Sequence, residues 1–305
     1  AQYDAATSLL AIEAWQDAIR TLEQFRADHP EHPLQEKATQ KLAYAYDRSD
    51  RKLKAAAEYR KLGEGQLKAG VRREALMRAA ELYHQAGQDR EAMQTLEGYL
   101  SRFPKPADAA VDAMRQLADL ELANGNAVRR RHWLEKIVKL DRKAGNAQTQ
   151  VVAAHATLEL AEDRLLAFRS IRLVKPLKKS LATKLREMKQ ALKVYEAAIG
   201  YGVAPVTSAA KYNIASMYEE LSQELRASER PADLGAEALA QYELLLEQQA
   251  APFEQQAIQI YASNVRQAGG QEIDRWVEKS RQRLNVLRSE RISGTGSTSG
   301  PVDAR

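Results

Sequence analysis

Apolar residues recur at helical spacing between Glu74 and Pro104, which predicts two short helices joined by a turn. Gly87 interrupts the pattern where a left-handed residue would end the first helix, and Pro104 ends the second. Small side chains at Ala80 and Ala92 would let the two helix backbones approach closely, while larger side chains fill the space around them. The residues of this pattern are Leu76, Ala79, Ala80, Tyr83, Ala92, Leu96 and Tyr99.

This order of small and large side chains resembles the tetratricopeptide repeat. The pattern recurs in phase, because Ala92, Ala55 and Ala18 follow one another at intervals of 37 residues. Three such units predict an all-α fold, an α-solenoid of antiparallel helix pairs similar to the tetratricopeptide superhelix, in which each pair packs only against its neighbours. The predicted repeat-defining core of these units is Ala6, Leu9, Ala18, Leu22, Phe25, Ala43, Tyr46, Ala55, Tyr59, Ala80, Tyr83, Ala92, Leu96 and Tyr99.

A fourth unit follows, and its pattern is weaker. Arg130 stands where the small residue belongs, and Glu121 replaces the expected aromatic residue. Leu134 and Ile137 still fit. We expect either a less tightly packed junction here or an arginine lying across the surface.

Longer helices are predicted in the second half. One runs from about Thr149 to Val174, Pro176 favours a break, and the next runs from Leu177 to Ile199 with one apolar stripe. That stripe packs on neighbouring helices or forms a coiled coil with another chain. Pro252 is expected to separate two further helices. The later core residues are Tyr218, Tyr242 and Trp276, and the closing helix presents Ile273, Trp276, Val277, Ser280, Leu284 and Leu287 after a break at Gly269 and Gly270.

The predicted organisation is therefore a regular array over residues 1–146, an irregular array with a capping helix over 147–292, and a disordered Gly/Ser/Thr-rich tail over 293–305. No run of eighteen apolar residues occurs, which argues against a membrane-spanning helix. The chain starts with Ala1, inside a helix pattern, so we expect a processed form or a fragment, whose signal peptide or lipid anchor would not be visible.

A search for chemistry finds no catalytic, cofactor-binding or metal-binding residues. The sequence lacks cysteine, and its five histidines fit no metal-binding or catalytic motif. Carboxylates stand beside Lys or Arg on outward helix positions. We therefore expect a protein that is not an enzyme, with no cofactor and no small-molecule substrate.

Charge is distributed in blocks rather than evenly. Residues 164–193 hold a basic block, which can attract an anionic partner, and residues 219–254 hold an acidic one. The two blocks pair within the solenoid or join copies of the chain. The partner-binding candidates are Arg130, Arg131, Arg172, Lys175, Lys178, Lys179, Arg186, Lys189 and Lys193. The basic block also contains Arg164, Arg169 and Lys184.

A protein partner is favoured over nucleic acid and over an anionic lipid surface. A groove for single strands would interleave aromatic residues with its cations, and the basic block contains only Phe168. Trp133 follows Arg130 and Arg131. Either these arginines stack on its ring, or Trp133 is a core residue. A peptide, a helix or another protein on the concave surface of the repeats is the expected partner.

The stretch Tyr242–Ser280 resembles large tetratricopeptide proteins of Gram-negative envelopes, which are associated with TonB/ExbB/ExbD (Tol-like) energy-transducing systems and gliding motility. The matching positions are Tyr242, Leu244, Leu245, Leu246, Pro252, Phe253, Ala257, Ile258, Trp276, Val277, Lys279 and Ser280. The resemblance implies a periplasmic scaffold that meets the membrane only through a partner or an upstream anchor. The alternative is a cytoplasmic adaptor whose basic block binds an acidic partner or nucleic acid.

Overall fold

The computed structural model describes residues 1–232, 234–267 and 274–295, with side chains as far as residue 290. These residues form 13 helices and no strand, so the prediction of an all-α fold is confirmed. The helices are α1 (Gln2–Ala11), α2 (Trp15–Asp28), α3 (Gln35–Arg48), α4 (Lys52–Glu64), α5 (Ala69–Gln85), α6 (Asp89–Arg102), α7 (Ala107–Ala123), α8 (Ala127–Ala144), α9 (Ala147–Ser170), α10 (Leu177–Ile199), α11 (Ala204–Arg226), α12 (Ala236–Gln267) and α13 (Arg275–Thr295).

The chain divides into two compact units, Ala1–Thr149 and Gln150–Arg305, hereafter unit 1 and unit 2. Helix α13 continues to Thr295, past the start predicted for the tail. Residues 296–305, the predicted break at Gly269 and Gly270, and the predicted core residue Ile273 lie outside the described residues. In the part of the chain that is described, no helix is both long enough and apolar enough to cross a membrane.

Unit 1 is built from four successive helix pairs, each packed on the next. The small residues predicted at the helix crossings are buried, and Ala18, Ala43, Ala55 and Ala92 have no exposed surface. Of the predicted repeat-defining core, the structure buries Ala6, Ala18, Leu22, Phe25, Ala43, Tyr46, Ala55, Ala80, Tyr83, Ala92, Leu96 and Tyr99. The others, which are half-buried, are Leu9 and Tyr59 in unit 1 and Tyr218, Tyr242 and Trp276 in unit 2.

The four turns inside the pairs share one backbone conformation. Each has a residue with positive φ: Glu13 (58°), Asp50 (57°), Gly87 (72°) and Gly125 (72°). In each turn the next amide donates back to the carbonyl five residues earlier, at 2.8 to 2.9 Å. A residue in the left-handed conformation ends a helix because it turns the following backbone amides toward the last carbonyls of that helix, where they donate hydrogen bonds. The turns are spaced by 37, 37 and 38 residues along the chain, so the repeat period also describes the backbone.

The weak fourth unit keeps this geometry. Glu121 occupies the aromatic position and is buried, with its carboxylate 2.7 Å from Nε of Arg129 on the following helix. Arg130, at the position of the small residue, is half-buried. An ion pair therefore joins α7 and α8 at a place where the other pairs use an aromatic or aliphatic contact.

Unit 2 contains the predicted long helices. Helix α10 has the predicted bounds, whereas α9 ends at Ser170, four residues before the predicted Val174. The α10 stripe faces a core shared with α9 and α11, in which Phe168, Tyr195 and Met217 are completely buried. The stripe thus packs on neighbouring helices of the same unit.

The break predicted at Pro252 is wrong, because α12 continues through it. Proline removes one helical hydrogen bond and crowds the preceding turn. Contacts with α11 hold both sides of the site: Ala250 and Ala257 are fully buried, and Ser222 Oγ donates to the carbonyl of Ala250 over 3.0 Å. Packing along α11 therefore outweighs the local cost of the proline.

Candidate interaction surfaces

A cleft opens between the first helices of the third and fourth pairs, and we call it the α5–α7 cleft. Its volume is about 560 Å³. Apolar side chains form its floor and polar side chains its rim. Its lining residues are Met77, Arg78, Ala80, Glu81 and His84 of α5, Leu96 of α6, and Gln116, Asp119, Leu120 and Ala123 of α7.

The charged side chains on the rim of this cleft are paired within unit 1, and Asp119 among them lies 2.7 Å from Arg115. Arg78 donates to both carboxylate oxygens of Asp47 at 2.7 and 2.8 Å and to Glu81 at 2.7 Å. The hydrogen bond to Asp47 raises the pKa of Arg78 above its ordinary value. His84 lies 2.7 Å from Asp89. Because these groups compensate one another, the apolar floor is the part of the cleft that remains to be covered by a partner.

Five predicted partner-binding cations form a second surface, the α10 basic stripe: Lys178, Lys179, Arg186, Lys189 and Lys193. All five are exposed. Because an α-helix turns by about 100° and rises by about 1.5 Å per residue, these five residues lie within about one third of the helix circumference and along about 22 Å of its length. Lys178, Lys179, Lys189 and Lys193 form no ion pair within the described part of the chain, and Arg186 contacts only its neighbour Glu187, at 3.3 Å.

Other members of the basic block are used inside unit 2. Arg169 donates to Glu220 at 2.9 Å, and Lys175 lies 3.7 Å from Glu229. Lys184 is completely buried and therefore does not belong to a basic surface. Arg172 is exposed and forms no ion pair among the described residues.

The acidic block is largely neutralised within the same unit. Its carboxylates pair with cations of neighbouring helices and of the segments that connect them: Glu219 with Arg283, Glu220 with Arg169, Glu224 with Lys184, Glu229 with Lys175, Glu243 with Arg230, and Glu247 and Glu254 with Arg226. Glu237 is exposed, and Asp233 lies outside the described residues. Little of this block is left to attract a second copy of the chain.

The predicted candidates Arg130 and Arg131 lie on α8, away from the α10 basic stripe in sequence. Arg130 is half-buried and Arg131 is exposed. Trp133 beside them is a core residue with 6% of its surface exposed, and the ammonium of Lys136 lies 4.4 Å from its ring centre. Among the described residues, no three His, Asp or Glu side chains are grouped as metal ligands.

Residues 1–32 and 74–106 match the sequence model of the tetratricopeptide repeat. These two segments are similar to tetratricopeptide repeats. They cover the pairs α1–α2 and α5–α6, and the second repeat supplies the α5 wall and the Leu96 floor of the α5–α7 cleft. The sequence pattern identified this repeat but not the cleft, whose other wall comes from the next pair.

Solved structures that the chain matches include a tetratricopeptide repeat protein from Parabacteroides merdae. It is 14% identical, with 94% of this chain and 97% of that chain covered and a TM-score of 0.38. BtubC (BKLC) from P. vanneervenii is 12% identical, with 99% and 96% covered and a TM-score of 0.36. The P58(IPK) TPR domain is 13% identical, with 95% and 98% covered and a TM-score of 0.21. No curated protein matches the chain in sequence.

Proposed function

We propose that the chain is a non-catalytic scaffold that binds segments of partner proteins through its tetratricopeptide repeats. The α5–α7 cleft carries this proposal, since it joins an apolar floor to a rim whose charges are already paired. Such a cleft gains free energy mainly by covering apolar surface, and it needs no charged ligand. An apolar side chain on a helix or an extended segment of a partner fits this chemistry.

Site-specific photocrosslinking tests the proposal. A photoreactive phenylalanine analogue at Met77, on the cleft, should trap a discrete partner protein in the cells of origin. The same analogue at Leu53, an exposed apolar residue elsewhere in unit 1, is the control and should not. Equal crosslinking from both positions, or none from Met77, contradicts the assignment of the cleft.

We propose further that the scaffold works in the periplasm, linked to a TonB/Tol-like energy-transducing or motility complex of the envelope. The sequence resemblance of Tyr242–Ser280 supports this proposal. The helix through Pro252 replaces the turn expected in that stretch, so the support rests on the residues and not on a shared turn. Crosslinked partners should be inner- or outer-membrane components, and a cleavable signal should precede the chain in its precursor. Recovery of cytosolic partners alone rejects this location.

The alternative is a cytoplasmic adaptor that binds an acidic partner or nucleic acid, and the α10 basic stripe favours it. Four of its cations form no ion pair with any described residue, while the carboxylates of Glu220 and Glu224 on α11 are already paired with Arg169 and Lys184. Binding of a DNA or RNA oligonucleotide should then fall steeply with salt and should weaken in the variant Lys178→Glu with Lys179→Glu. No measurable binding near physiological salt excludes the nucleic-acid form of this alternative.

A further inference from the structure

A second cleft of unit 1 lies among the second helices of the pairs, and we call it the α6–α8 cleft. Its volume is about 460 Å³. Leu100, Met114 and Leu140 are half-buried on its floor beside the buried Trp133. The remaining lining residues are Glu97 and Ser101 of α6 and Lys136, Lys139 and Lys143 of α8. Unlike the α5–α7 cleft, this one combines an apolar floor with a row of lysines.

The three lysines carry uncompensated charge. They follow one another at intervals of three and four residues, so they share one face of α8 over about 10 Å. All are exposed, and none forms an ion pair within the described residues. Glu97 is the one acid among the residues lining the cleft, and Arg129 binds both it and Glu121, so one negative charge stands against the three lysines. The C-terminal dipole of α8 stabilises Lys143 in the last turn, but it does not reach Lys136 two turns earlier.

Trp133 adds an independent observation. Its indole Nε1–H is buried and has no hydrogen-bond acceptor among the residues that the structure describes. A buried donor without a partner costs about 1–3 kcal/mol, so such groups usually find an acceptor. Lys136 lies over the ring, which leaves no open indole face on which a nucleobase could stack.

From these features we infer that the α6–α8 cleft binds an acidic protein segment, with carboxylates on the lysines and a large apolar side chain on the floor. Charge complementarity with the lysines favours Asp and Glu in the partner. The apolar floor favours a peptide over a nucleic acid, because the nucleic-acid backbone has no large apolar group to place on it. The inference concerns a different surface from the α5–α7 cleft, and the proposed function would stand if it failed.

Fluorescence anisotropy with labelled synthetic peptides tests the inference on the full chain at low salt. The probe is a peptide of about ten residues with glutamates on both sides of a central phenylalanine, a length that spans the lysine row. One comparison peptide replaces glutamate by glutamine, and another replaces phenylalanine by alanine. Each change should weaken binding about tenfold, equivalent to about 1.4 kcal/mol. A DNA oligonucleotide of equal charge should bind more weakly than the probe.

Two matched variants locate the site. Lys136→Gln with Lys139→Gln and Lys143→Gln should weaken binding of the probe at least about tenfold. Lys37→Gln with Lys68→Gln and Lys105→Gln removes the same charge from exposed positions of unit 1 outside both clefts and should leave the affinity unchanged. Equal losses in both variants, tighter binding of the DNA, or no binding of the probe overturns the inference. Unaltered circular dichroism and urea midpoints establish that both variants are folded, as expected for exposed lysines.

Discussion

The ammonium of Lys184 on α10 donates a hydrogen bond to Oε1 of Glu224 on α11 over 2.8 Å, although the lysine side chain is completely buried. The same ammonium donates to the carbonyl of Ile171 at 2.8 Å and to that of Phe168 at 3.3 Å. All three of its N–H groups therefore have acceptors. One side chain joins the end of α9 to α10 and α11.

Replacing Lys184 by methionine should lower the free energy of unfolding by about 2–3 kcal/mol. The methionine fills a similar space but leaves two carbonyls without their donor. Glu224 is partly exposed and can be hydrated, which keeps the loss below that of a fully buried charge. Urea denaturation followed by circular dichroism measures the change. Lys178→Met, on the exposed side of the same helix, should change stability by less than about 0.5 kcal/mol, and equal effects would contradict the role of Lys184.

Glu219 on α11 has a comparable position between α12 and α13. The hydroxyl of Tyr261 donates to its Oε2 at 2.9 Å, and Arg283 donates to the same carboxylate. Tyr261→Phe should therefore cost about 1–2 kcal/mol of unfolding free energy, measured by urea denaturation. Tyr242→Phe is the control, since that half-buried tyrosine has no such partner among the described residues. If Tyr261→Phe left the free energy of unfolding unchanged, water would have replaced the hydrogen bond that the Tyr261 hydroxyl donates to Glu219.

Stability should fall as the pH rises above about 10, the ordinary pKa of tyrosine. Burial, followed by the charge of Glu219, raises the pKa of Tyr261, and burial also raises the pKa of Tyr195. Above pH of about 10 the unfolded chain loses these protons while the folded chain keeps them, so the free energy of unfolding decreases. Urea midpoints measured on either side of that pH should show the loss, with a smaller slope for Tyr261→Phe. Equal slopes for the two proteins would reject this cause.

The repeat array was predictable because its determinants are local. A small residue at each helix crossing and a large one a turn away are read directly from spacing, and Ala18, Ala55 and Ala92 are buried as this pattern requires. The same applies to the exposure of Lys178 and Lys189, which follows from the apolar stripe on the other side of α10.

The remaining features depend on residues far apart in the chain. In the sequence Lys184 is one more basic residue of the block. It becomes a core residue only through three acceptors, which lie on α9, directly after α9 and on α11. Pro252 predicts a break, and only packing along α11 keeps α12 continuous. The α5–α7 cleft joins Met77 to Leu120, which lie in different helix pairs, so the pattern of a single repeat does not contain it.

The four turns of unit 1 give a final prediction, because two of them place a residue other than glycine in the left-handed region. Asp50 has φ of 57° where the corresponding Gly87 has 72°. A side chain in this conformation lowers the free energy of unfolding by about 1–2 kcal/mol. Glycine avoids this loss, but its greater conformational freedom in the unfolded chain cancels part of the gain. Asp50→Gly should thus raise the free energy of unfolding by about 0.5–1 kcal/mol. The exposed Asp50–Lys52 contact at 3.5 Å contributes little to this balance.

The reverse change, Gly87→Ala, should lower the free energy of unfolding by about 1 kcal/mol, although a β-carbon there would meet no atom within 4 Å. Its cost would come from the backbone conformation alone. Gly98→Ala is the matched control, because Gly98 lies within α6, its φ is not positive, and its nearest contact is the flexible end of Arg102 at 3.6 Å. That substitution should instead stabilise the protein by up to about 1 kcal/mol. Urea denaturation of the three variants measures these changes in the free energy of unfolding. Changes of opposite sign for Gly87→Ala and Gly98→Ala support the shared left-handed turn, and changes of equal sign would refute it.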